Sequence, residues 1–158
     1  MIPITGLAWF VMNKRFAAIS LCLFSLVMAL EAEMITLLSA DHPETYLNLL
    51  PEGRLQKARD LYHQKHKEKE RVDPVGLLLC TNFVDKATML IRSPQLFSAL
   101  PFSSKRQAEQ FLNRAQELRN QIAHSDSVLT VLHNPEEFDS FVGDLRKYTE
   151  AISNLHNV

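Results

Sequence analysis

Glycine is scarce in this chain, 4 of 158 residues, and no Asn-Gly or Asp-Gly pair marks a tight hairpin. Sustained period-2 alternation is also missing, so a sheet protein is excluded. There is no long polar tract either. With 46% hydrophobic and 22% charged residues, the composition is that of a globular protein rather than a disordered one. Charge of one sign is lacking: the formal net charge is −1, which gives no global pull toward nucleic acid and leaves anion binding to a local patch. Only two cysteines occur, Cys22 and Cys80. They are too few for a zinc site of their own and sit in or beside the apolar runs Leu21 to Leu23 and Leu77 to Leu79. They therefore read as reduced thiols of the core. What remains is enough length for one domain, since a chain of this size buries about 70% of its unfolded surface.

The amino terminus admits two readings. Lys14 and Arg15 precede the uncharged run FAAISLCLFSLVMAL, Phe16 to Leu30, and Glu31 and Glu33 follow it. Positive flank, apolar stretch and acidic end form the charge pattern of a secretory signal or anchor. The run is shorter than the roughly 20 residues that span a bilayer core. Moreover, Met34, Leu37 and Leu38 carry its helical spacing past the acids, which favours a buried helix of a soluble bundle. Residues 1–13, with Pro3 and Gly6, read as a lead-in segment, a possible remnant of an upstream region.

Downstream the chain is punctuated by helix starts. Asp73-Pro74, Ser93-Pro94 and Asn134-Pro135 place a side-chain acceptor before a proline at the first helical position. Asp41 with Glu44, Asn134 with Glu137 and Ser104 with Gln107 have capping-box spacing. The predicted helices lie near 14–39, 43–50, 52–71, 74–92, 94–99, 104–124 and 135–156. Phe111, Ala115, Leu118 and Ile122 form one apolar stripe; Phe138, Phe141, Leu145, Tyr148 and Ile152 form another. Single stripes and short connections predict an all-α, antiparallel helical bundle over 14–158.

The stretch LRNQIAHSDSV, Leu118 to Val128, closes the penultimate long helix with three crowded polar groups. At about 100° per residue the core stripe lies about 40° to 100° to one side of Arg119, with Asn120 and His124 about 100° and 140° to the other. Asn120 and His124, four apart, can touch. Read bare, Arg119 and His124 are cations compensating the helix macrodipole.

Arg119-Asn-Gln-Ile-Ala-His124, R-N-x-x-A-H, resembles the signature of the HEPN superfamily, whose metal-independent ribonucleases carry R-x(4 to 6)-H at the end of the penultimate long helix of an all-helical bundle. A long first helix there bears an acid facing the site, a place matched by Glu31 in LVMALEAEMITLL, with Glu33 as the alternative. The Phe-containing segment PQLFSALPF before the motif helix is similar as well, so the likeness runs over roughly 14–156, with only the motif specific. The resemblance implies that His124 moves protons at the 2′-hydroxyl or leaving oxygen. It implies that Arg119 holds the scissile phosphate, that Asn120 orients His124 or the phosphate, and that Glu31 fixes Arg119 or His124. It implies no metal and no cofactor, an RNA substrate, a homodimer with a composite cleft, an antitoxin or other regulatory protein as partner, and no membrane. A cytoplasmic toxin or antiviral defence effector is the implied class. Two departures stand out. Asp126 occupies the place of a tyrosine that a subset of the family has modified by a partner nucleotidyltransferase, and it adds negative charge where RNA would run.

The segment GRLQKARDLYHQKHKEKER supplies Arg54, Lys57, Arg59, Lys65, Lys67, Lys69 and Arg71 against Asp60, Glu68 and Glu70. It can track a phosphate backbone or simply be a solvated helix face. His63-x-x-His66 has helix-compatible metal spacing without a third ligand. Three readings follow: a ribonuclease of HEPN type, a catalytically silent module of the same fold that dimerises or binds a partner, and a secreted or membrane-anchored helical protein in which Arg119, Asn120 and His124 are incidental.

Overall fold

The structure, a computed structural model, describes residues 6–40, 42–67, 71–123 and 135–155, and in the first helix the side chains from Ala18 onward. Those residues contain helices and no strand: α1 (Gly6–Ala40), α2 (Pro43–Leu47), α3 (Glu52–Lys65), α4 (Pro74–Leu79), α5 (Phe83–Arg92), α6 (Pro94–Ala99), α7 (Lys105–Ala123) and α8 (Pro135–Leu155). The all-α expectation holds.

α1 is the axis of the molecule, packing on α8, α7, α5, α4 and α2. Leu23, Val27, Leu30, Met34, Leu37 and Leu38 recur at three- and four-residue spacing and are all buried. The helix already runs from Gly6 rather than from near 14, nothing between Leu7 and Met12 breaking it, so residues 6–13 of the expected lead-in are helical. Cys22, expected in the core, is exposed, since it lies one residue off the buried face that starts at Leu23. Ile19, Leu21 and Met28 are exposed as well. By length and composition Ala18–Ala40 is capable of crossing a membrane, a property it shares with core helices of soluble bundles.

α3 buries Leu55, Ala58 and Tyr62 and ends at Lys65, not at 71: His66 is the C-cap, its N–H bonded to the Tyr62 carbonyl. Tyr62 also fixes the next element, its hydroxyl accepting from Asp73 N at 3.1 Å while its ring presses on Gly76. The predicted helix over 74–92 is two helices. Asn82 accepts from Asp85 N at 2.9 Å and Asp85 returns a carboxylate to Asn82 N at 3.1 Å, a reciprocal capping box that restarts the chain as α5. α2 stops at Leu47 in a turn.

The caps read at Asp73, Ser93 and Ser104 form, accepting from Gly76, Leu96 and Gln107 at 2.9, 3.3 and 3.1 Å. Gln107 reaches back to Ser103 instead of completing the box at Ser104. At α2 the N-cap is His42, in a left-handed conformation without a side-chain cap bond, and Asp41 lies outside the described residues, as does Asn134.

α7 and α8 run antiparallel. Arg114 pairs with Glu137 at the start of α8, Phe111 meets Phe141 and then Tyr148, and Phe102, before α7, stacks on Tyr148 at 4.1 Å. Both predicted stripes face inward, with Ile122 and Phe138 half-buried at their ends.

Candidate functional site

Three helices converge on one carboxylate. Glu31 falls on the buried face of α1, between Leu30 and Met34, and is 7% exposed. A carboxylate there demands partners, because an unpaired buried charge costs several kcal/mol, on the order of 3–5. It has two. From α5, Lys86 donates its Nζ to Glu31 Oε1 at 3.1 Å and to the Thr81 carbonyl at 2.7 Å. From α7, Arg119 brings Nε to 3.6 Å from Glu31 Oε2, an ion pair too long to be a hydrogen bond.

The two cations differ in access. Lys86 is 2% exposed and sealed between helices, whereas about a third of the Arg119 side chain, 34%, reaches solvent. Arg119 is positioned by Leu118, fully buried one residue earlier on α7. The site is thus a permanently charged guanidinium at the surface, backed by a carboxylate that a second, buried cation already occupies. Such an arrangement can hold an oxyanion and stabilise charge on it.

Of the residues singled out in the sequence, Glu31 and Arg119 are brought together across a separation of 88 positions. Asn120 is exposed on the next face of α7, and Glu33 is half-buried on α1. His124 and Asp126 lie outside the described residues. In the basic segment the exposed Arg54 donates its Nη1 to buried Asp85 at 2.8 Å, and Arg59 pairs with Glu52 at 3.2 Å. Both of these guanidiniums of the expected basic track thus already have a carboxylate partner. Lys57 and Lys65 are exposed on α3, Lys67 is exposed beyond its end, and Lys69 lies outside the described residues. The His66 ring lies against Tyr62, centroids 4.7 Å apart, and the described residues hold no group of three or more His, Cys, Asp or Glu able to bind a metal ion.

Sequence reasoning missed Lys86. The signal was present in FVDKATMLIR: Phe83, Lys86, Ala87 and Leu90 share one helical face, so the lysine stands in a core stripe and must meet an acid there. No protein-family model, curated protein or solved structure matches this chain.

Proposed function

We propose that this chain is a metal-independent endoribonuclease of HEPN type, working in the cytoplasm as a homodimer with a composite cleft and serving as a toxin or antiviral defence effector. The observation that carries the reading is the Glu31 to Arg119 contact, because it joins the motif arginine to the first-helix acid that the R-N-x-x-A-H resemblance calls for. In the proposed reaction the RNA's own 2′-hydroxyl attacks the adjacent phosphorus, the 5′-oxygen leaves, and a 2′,3′-cyclic phosphate remains. His124 takes the proton from the 2′-hydroxyl or gives one to the leaving oxygen. Arg119 binds a non-bridging phosphate oxygen as its charge grows, and Glu31 holds the guanidinium in place. Asn120 orients His124 or the phosphate. Chemistry of this kind requires proton transfer and charge stabilisation and no metal. α1 serves as a core helix.

The test is cleavage by Arg119→Ala and His124→Ala. Either change is expected to lower the rate by about two to four orders of magnitude with folding and dimerisation intact; unchanged cleavage removes both residues from the reaction. A second reading, a silent module that docks a partner or dimerises, draws on the Glu31 to Lys86 pair, whose burial alone gives Glu31 a structural reason to exist. Wild-type protein that is dimeric and folded yet leaves RNA intact is the outcome that favours it.

A further inference from the structure

The two oxygens of Glu31 are divided unequally. Oε1 accepts from Lys86, whereas Oε2 is buried, accepts no hydrogen bond and only faces Arg119 Nε, itself buried without a hydrogen-bond partner. Among the described residues the cluster therefore holds two cations and one carboxylate, a net single positive charge. Asp85, buried and next to Lys86 in the chain, does not alter that balance because Arg54 takes it at 2.8 Å. Lys86 is sealed, so the surplus charge is available at the half-buried Arg119.

We propose that Lys86 is a positioning residue that keeps the charge of Arg119 available to solvent: by occupying Oε1 of Glu31 it lets the carboxylate orient the guanidinium without drawing it into a closed pair, leaving one site able to take a phosphate anion. A carboxylate with no other partner draws an arginine into a close bidentate pair, and in a low-dielectric setting that pair is spent on itself. Lys86 opposes this by holding Oε1, so that only Oε2 is left to face the guanidinium, with the Thr81 carbonyl fixing the ammonium from its other side. The inference rests on the proposed ribonuclease reading only for the source of the phosphate, an RNA backbone.

The experiment follows the Arg119 Nε–Hε resonance of the full chain by NMR, titrated with inorganic phosphate and separately with a short RNA whose riboses are all 2′-O-methylated and so cannot be cut. Wild type is expected to show a saturable shift with both. Lys86→Met, studied well below its unfolding temperature, is expected to bind phosphate about tenfold or more weakly, the scale of removing one charge-assisted hydrogen bond, because Glu31 now captures Arg119. Its RNA affinity should also depend less steeply on salt, by about one unit of log–log slope. The double variant Glu31→Gln with Lys86→Met carries the same net charge as wild type and is expected to recover phosphate affinity to within about threefold, while cleavage stays low because nothing orients the guanidinium. A merely structural Lys86 predicts that the folded single variant binds like wild type, and that result overturns the proposal. If the single variant does not fold, the double variant decides: phosphate binding about tenfold weaker than wild type also overturns it. Phosphate binding that behaves as expected in a protein that ignores the RNA leaves the charge arrangement standing and removes the ribonuclease reading instead.

Discussion

At Gly76 the ring of Tyr62 stands where a side chain would begin, since a Cβ would lie 2.7 Å from Tyr62 Cε2 and 3.0 Å from the capping Asp73 Oδ2. Tyr62 is fully buried and its hydroxyl is engaged, so the ring has little room to yield. Gly76→Ala is expected to lower stability in urea unfolding by about 1–3 kcal/mol, the cost of overpacking. Gly143→Ala, in the middle of α8 with nothing within 4 Å, should do the opposite and stabilise by about 0.4–1 kcal/mol. Tyr148 sets a pH dependence. Burial first, and the Asp144 carboxylate second, push its phenol above the ordinary 10.0. Because the folded-state pKa is raised, the neutral phenol's contribution to stability is whole below about pH 10 and is lost as pH rises from there through the folded-state value. Melting temperatures across the alkaline range should fall, and Tyr148→Phe should flatten that part of the curve.

Among the elements, the join between α4 and α5 shows what a local sequence can disguise. Apolar residues recur from Val75 to Leu79 and again from Phe83 to Ile91, and no Pro or Gly lies between the two segments, so periodicity alone joins them. Asn82 and Asp85 separate them, and Asn82→Ala should cost about 1 kcal/mol in thermal or urea unfolding as the cap is removed. The starts marked by proline, at Pro74 and Pro94, were legible for the opposite reason: an acceptor followed by a residue without an N–H has few other uses. The stripes of α7 and α8 were legible because each is buried on one side only. The cysteine at 22 was not, because a helix apolar all round does not say which face it buries. Glu31 and Arg119 could be joined on paper only through a resemblance, whereas the buried Lys86 between them escaped notice by lying in a core stripe. It also binds elements together. Lys86→Ala removes the buried partner of Glu31 Oε1 and leaves the carboxylate to Arg119 alone, which should cost about 3–5 kcal/mol, far more than removing both charges in Glu31→Gln with Lys86→Met.

At the scale of the whole molecule, the bundle and the site are one construction. α1 threads the core and delivers a carboxylate to its interior, α5 supplies the cation that settles its charge, and α7 carries the cation that remains available at the surface. One guanidinium and one imidazole make a small catalytic set, which is why the proposed enzyme is a dimer with two motifs in one cleft. Arg119 and His124 therefore stand or fall together as its reacting pair. The decisive measurement is cleavage of a defined RNA by the purified protein in the presence of a metal chelator, with the new ends identified. Wild type is expected to leave 2′,3′-cyclic phosphate and 5′-hydroxyl ends, and both Arg119→Ala and His124→Ala are expected to cut about two to four orders of magnitude more slowly. Cleavage that persists in either variant, or that leaves 5′-phosphate ends, would contradict the proposed reaction.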